Sequence, residues 1–318
     1  KNKKKKQKKK QIKEKKNKKR DQEAAVEMEA NGTLHVNPIT FLRRIQEMGD
    51  PRTREYPLVV NPLFVFPLIL SYLYFVKRAG PRLMKNRAPF KIVNLIRCYN
   101  LAMVALNARF FYIVLSNTYL PGGRYNLWCQ GITGYMDDEL VGVYRSGWWY
   151  VAVRYADLLD TVFFVLRKKF THITHLHVIH HSLVAVNAWF WTLFAPEGQP
   201  ALGLVMNTFV HTVMYSYYLL ATFGPTVRPY LWWKRYLTSI QIVQIVIYIA
   251  HMSIPLFVDC DFPRYLIHIA NAQTLLLLGL FLNFYVQSYS RKNGSLPKNL
   301  TLANCDDVSQ ERHSGKQD

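Results

Sequence analysis

Cysteine is scarce in this chain: 318 residues hold four, Cys98, Cys129, Cys260 and Cys305. Their spacing is not that of a zinc site, and four are too few to staple a scaffold of this size. Acidic residues are also few, 20 Asp and Glu against 41 Lys and Arg. No internal repeat is present, which excludes solenoid and propeller arrays. Charge is nearly missing from long stretches of the middle of the chain, which excludes a single water-soluble core and points to helices that cross a bilayer.

Half of the residues are hydrophobic, yet the mean hydropathy is −0.04, because very polar ends offset a very apolar middle. Aromatic residues make up 14%, and many Tyr and Trp stand near the ends of the apolar runs, where a membrane-interface belt would place them. The net charge is +21, and from Met28 onward 27 basic and 16 acidic residues remain. The body is therefore basic in its own right, apart from the lysine tract that opens the chain.

Residues 1–27 are that tract, and a sequence with so little apolar surface is expected to be disordered. One reading is a basic arm for nucleic acid or an anionic membrane. The other, expected here, is translated upstream sequence, since the chain begins with Lys1 and Met28 opens the first ordinary stretch. Residues 28–57 then form an N-terminal segment, 58–288 a membrane domain and 289–318 a disordered tail. Within the membrane domain seven apolar segments are expected, near 58–76, 98–117, 148–166, 177–194, 201–223, 237–257 and 265–288. Each is long enough to cross about 30 Å of hydrocarbon at about 1.5 Å per residue. Pro62 and Pro67 predict a kink in the first.

The connections set an orientation. Lys77, Arg78, Arg82, Lys85, Arg87 and Lys91 fall in the first loop, Arg167, Lys168 and Lys169 in the third, and Arg228, Lys234 and Arg235 in the fifth, and the tail opens with Arg291 and Lys292. The alternate loops hold Asp137, Asp138 and Glu139, then Glu197, then Asp259 and Asp261. The positive-inside rule puts the basic set in the cytosol, the N-terminus in the lumen and the C-terminus in the cytosol. Cys129 and Cys260 then share the lumenal side. A disulfide is expected if their Cα atoms come within about 7 Å, and two free thiols otherwise. Asn31 opens a lumenal glycosylation sequon.

Ionisable groups inside spans are costly, so each is a candidate for function. His177, His180 and His181 stand at i, i+3 and i+4, on one helix face. Such a set suits either iron ligation in a membrane oxygenase or an imidazole acting as nucleophile or general base. Asn207, His211, Tyr215 and Tyr218 share a face of the next helix. Arg154, Asp157, Asp160 and Thr161 follow helical spacing and should pair with one another or with the histidines, as a structural strut or as groups that orient imidazoles. Gln241 and Gln244 share a face, able to bind a polar part of a substrate or to glue helices. Lys168, Lys169, Lys234 and Arg291 lie at cytosolic helix ends, where they could hold coenzyme phosphates or simply anchor the helices.

Four motifs, in order between Arg154 and Gln244, resemble the ELO family of very-long-chain fatty acid elongases. They are Arg154-Tyr-Ala-Asp157-Leu-Leu-Asp160-Thr161, the Leu-His177-Val-Ile-His180-His181 box, Asn207-Thr-Phe-Val-His211-Thr-Val-Met-Tyr215-Ser-Tyr-Tyr218, and Tyr236-Leu-Thr-Ser-Ile-Gln241-Ile-Val-Gln244. The first departs from the family's Lys-x-x-Glu-x-x-Asp-Thr in carrying Arg154 and Asp157. The C-terminal Gly315-Lys316-Gln317-Asp318 keeps one lysine of a dilysine retrieval signal. The resemblance implies an all-α, seven-transmembrane-helix bundle enclosing a tunnel closed at its lumenal end, in the endoplasmic reticulum membrane. It implies long-chain acyl-CoA and malonyl-CoA as substrates, no metal and no cofactor, and no nucleic-acid partner. The product would be 3-oxoacyl-CoA, through an acyl-imidazole on His180 aided by His211. His177 and His181 would position or relay protons, Asp157 and Asp160 would orient imidazoles, and Tyr215 and Tyr218 would donate hydrogen bonds. The ketoreductase, dehydratase and enoyl reductase of the same cycle, and a second copy of the chain, are the implied partners.

Overall fold

The computed structural model describes residues 37–132, 134 and 138–290, and every regular element among them is helical. A short amphipathic helix α1 (Pro38–Glu47) comes first. The remaining helices belong to one body from Gln46 onward. They are α2 (Pro62–Met84), α3 (Val93–Thr118), α4 (Asp138–Ala156), α5 (Leu158–Leu166), α6 (His175–Phe194), α7 (Ala201–Ala221), α8 (Lys234–Ser253) and α9 (Arg264–Tyr285).

Among the described residues four helical stretches are long and apolar enough to cross a membrane, Pro62–Met84, Val93–Thr118, Pro229–Leu256 and Arg264–Tyr289. Only 22–33% of their apolar windows is buried within the protein, so most of that surface needs lipid against it. Leu101, Tyr112, Val243, Leu275 and Leu276 are among the large side chains turned outward. Helices α4 to α7 do not meet the same test. They carry the histidines, the arginine and the aspartates, and hydropathy averages these against their apolar neighbours.

Several expected boundaries move. Lys77, Arg78 and Arg82 lie inside α2 rather than in a loop, and Lys234 and Arg235 open α8. Long cationic side chains can continue a helix beyond its apolar stretch and reach water from there. The segment expected at 148–166 begins as α4 at Asp138, so Asp138 and Glu139 start a helix rather than fill a loop. Its first turns are too polar for an apolar-run criterion to include. It is also interrupted at Asp157, after which α5 starts. Pro62 takes the first position of α2, where its missing N–H costs nothing, and the Asn61 side chain accepts from Leu63 N at 2.9 Å. Pro67 lies inside α2, and a π-helical turn follows at Phe75–Ala79, just ahead of Gly80-Pro81. Gly80 lies against α5, where a Cβ would come 2.6 Å from Val165 Cγ1 and 2.8 Å from Phe75 O.

Helix α3 packs most extensively along α7, and α8 along α9. Met103, Phe110, Val153 and Tyr215 form the buried cluster where α3, α4 and α7 meet. At the opposite end Ala195, Met252, Phe262, Leu266, Ile267 and Ala270 close α6, α8 and α9 together. Here Cys129 and Cys260 are joined, with Cα atoms 5.9 Å apart. Cys98 is free and exposed. Arg52 donates to both Asp50 oxygens at 2.9 and 2.6 Å and to Glu197 Oε1 at 2.9 Å. Burial would raise the Asp50 carboxyl, but the hydrogen bonds and charge of Arg52 hold it below its usual value.

Candidate active site

Helix α6 is started by Thr174, whose hydroxyl accepts from His177 N at 3.2 Å. The cap fixes the first turn and with it the direction of the histidine face. The three rings then diverge in role. His177 and His181 pack at 4.2 Å between centroids. His177 Nε2 meets Thr161 Oγ1 at 2.8 Å, and that hydroxyl meets Tyr72 Oη at 2.9 Å. A polar chain therefore runs from α2 through α5 to α6. His181 reaches the main chain of Asp157, beside the helix interruption. His180 is held by ring contacts, edge-on to Phe281 and to His181, each at 5.6 Å.

Arg154 is the hub of the site and is fully buried. Its Nη1 donates to His211 Nδ1 at 2.7 Å, its Nη2 to Asn107 Oδ1 at 2.6 Å, and Nη1 pairs with Asp157 Oδ2 at 3.1 Å. Asn107 is fixed in turn by donating to Met103 O at 2.8 Å. A guanidinium has donors only, so His211 Nδ1 must present its lone pair and its ring proton sits on Nε2. A buried cation is tolerated only with its partners in place, and here α3, α7 and the break between α4 and α5 supply them.

Tyr215 Oη lies 2.9 Å from Asp157 Oδ1 and 2.8 Å from Asp160 Oδ2. One phenolic proton serves one carboxylate. The second contact is a hydrogen bond only when a carboxyl keeps its own proton. Tyr99 Oη joins at 3.4 Å and also donates to Ala156 O at 3.2 Å.

A cavity of about 260 Å³ runs beside these groups. His180, His211, Asn207, Gln241 and Gln244 line it, from α6, α7 and α8. His177, His181, Asp157, Asp160 and Tyr215 stand behind that lining. Arg154 and Thr161 are the groups that touch His211 and His177, while the Asp157 and Asp160 carboxylates, expected to orient imidazoles, bind Arg154 and Tyr215. Tyr218 is 41% exposed and packs its ring on Tyr215 rather than facing the cavity. Lys168 donates to Lys85 O at 3.3 Å. Lys169, Lys234 and Arg167 gather around His172, which stacks on Phe164. Burial and these three charges push His172 down to about 4. Arg291 and Asn31 lie outside the described residues. Asn107, Tyr72 and Tyr99 were not singled out in the sequence. The available signal was a polar side chain within an apolar helix, but its partners lie 47 to 116 residues away. Among the described residues no group of three His, Cys, Asp or Glu side chains could hold a metal ion.

These features define a class: a polytopic helical membrane protein with half-buried histidines, a buried histidine and a buried arginine gathered beside one cavity. The chain belongs to the ELO family, described as GNS1/SUR4, which matches residues 57–296. It is 39% identical over 245 residues to a very long chain fatty acid elongase of Aedes aegypti, covering 77% of this chain and 68% of that protein. It is 39% identical over 248 residues to very long chain fatty acid elongase 7 of Drosophila melanogaster, covering 77% and 74%. Against very long chain fatty acid elongase 4 of Mus musculus it is 36% identical over 275 residues, covering 86% and 87%.

Proposed function

We propose that this chain is a very-long-chain 3-oxoacyl-CoA synthase, condensing a long-chain acyl-CoA with malonyl-CoA. The observation that carries the reading is that His180 and His211, from different helices, line one cavity while Arg154 fixes the tautomer of His211. His180 attacks the acyl thioester carbonyl, and the C–S bond breaks to release CoA. Malonyl-CoA then loses CO2, and the resulting carbanion forms a C–C bond to the acyl carbon as the C–N bond to His180 breaks. The whole reaction takes up one proton, which ends on the CoA thiol. His211 offers its Nε2–H to the carbonyl oxygen as negative charge grows there. An imidazole suits the first role, being nucleophilic near neutral pH and a good leaving group.

The same reading extends to the surroundings. The helices form a seven-span bundle in the endoplasmic reticulum membrane, with the basic ends in the cytosol and the disulfide end in the lumen. Lys168, Lys169, Lys234 and Arg291 receive the coenzyme phosphates. The product passes to the ketoreductase of the cycle.

Purified protein given acyl-CoA alone should release one equivalent of CoA. It should also carry an acyl mass increment on the peptide containing His180. With labelled malonyl-CoA it should then form 3-oxoacyl-CoA. His180→Ala should abolish both steps, and condensation at wild-type rate in that variant would end the assignment.

A further inference from the structure

Beyond His180 the cavity is not lined as a saturated hydrocarbon chain would require. Asn187 on α6, Asn207 on α7 and Gln273 on α9 all face it. Among the described residues no hydrogen bond joins these three carboxamides to the protein, and Asn207 Oδ1 is buried without a partner. Helices α6 and α9 run antiparallel. His180 meets Phe281 at one end, and Phe190 and Trp191 pack near Leu266 and Ala270 at the other. Asn187 follows His180 by seven residues and Gln273 precedes Phe281 by eight, so both lie roughly 10–12 Å past the histidine at about 1.5 Å per residue. Asn187 and Gln273 stand at one depth and Asn207 one turn along α7 from His211, so that three helices contribute to a ring of carboxamides in the cavity. An amide at membrane depth without a partner is unfavourable, and a plain methylene chain brings none.

Building on the reading above, we propose that the cavity selects acyl chains bearing a hydroxyl group part-way along. A hydroxyl both donates and accepts, so it can pair with an amide oxygen and an amide N–H of this ring at once. The thioester end is handled by the histidines, and the hydroxyl fixes how far the chain has entered.

The test uses the full chain, labelled malonyl-CoA and acyl-CoAs of equal length: octadecanoyl, cis-octadecenoyl and the positional isomers of hydroxyoctadecanoyl. One mid-chain hydroxyl isomer should exceed the saturated chain in kcat/KM by about tenfold, the worth of one net hydrogen bond. In Asn187→Leu/Gln273→Leu that ratio should fall to about one. Elongation of the saturated or the unsaturated chain at least as well as every hydroxyl isomer overturns the proposal, since bending alone would then account for selection. Retention of the hydroxyl preference in the double variant overturns it equally. No product from any acyl-CoA would instead remove the synthase reading on which it stands.

Discussion

Replacing Arg154 by Met removes a buried cation and leaves the buried Asp157 carboxylate with Tyr215 as its remaining donor. His211 Nδ1 and Asn107 Oδ1 lose their partners as well. Breaking a buried ion pair from one side costs about 3–5 kcal/mol. At about 2–4 °C per kcal/mol for a domain of this size, Arg154→Met should lower the melting temperature in detergent by roughly 6–20 °C. Asp157→Asn keeps an acceptor for Tyr215 but orphans the guanidinium, and should also destabilise. In Arg154→Met/Asp157→Asn neither charge is left alone, so the loss should be smaller than the sum of the two singles by about 2 kcal/mol or more. The assay is a thermal unfolding curve for the wild type and the three variants in one detergent. Additivity within about 0.5 kcal/mol would show that the two side chains do not depend on each other, and the hub would have to be abandoned.

Thr161→Val removes the hydroxyl between Tyr72 and His177 while keeping the shape; it should cost about 1–3 kcal/mol by the same melting assay, and an unchanged curve would deny the polar chain. His172 should titrate by NMR near 4 rather than 6.5. Its folded value is the depressed one, so the unfolded chain binds more protons between those two pH values. Stability from this group is therefore full above about 6.5 and declines as pH falls toward 4, and a midpoint near 6.5 would contradict the burial against Phe164. Cys260→Ser opens a crosslink that closes 131 residues and should cost about 2–5 kcal/mol, with no change if the bond is absent from the purified protein.

Much of the helical order was legible because long apolar runs are written locally. The histidine face was legible for the same reason: i, i+3 and i+4 converge in any α-helix. That Arg154, the aspartates and Thr161 would pair with one another or with the histidines was legible as well. The particular pairs were not: nothing in the spacing says that the arginine crosses to His211 on another helix, or that one phenol sits between two carboxylates. Those contacts depend on how helices pack, which periodicity leaves open. The start of α4 was missed for a different reason: Asp138, Glu139, Arg145 and Ser146 depress hydropathy in a stretch that is nonetheless helical. The interruption at Asp157 carries no proline or glycine to announce it.

The close approach at Gly80 reaches further than a packing detail. Val165, which occupies the space a side chain there would need, lies one turn along α5 from Thr161, and Thr161 is tied to Tyr72 on the same helix as the glycine. The two helices are thus registered by a bare backbone at one point and by a hydroxyl pair at another. Enlarging residue 80 would lever α5 outward and slacken the tether on His177 from a distance. A smaller residue at 165 would relieve only part of this, because the backbone oxygen of Phe75 stands 2.8 Å from the same Cβ.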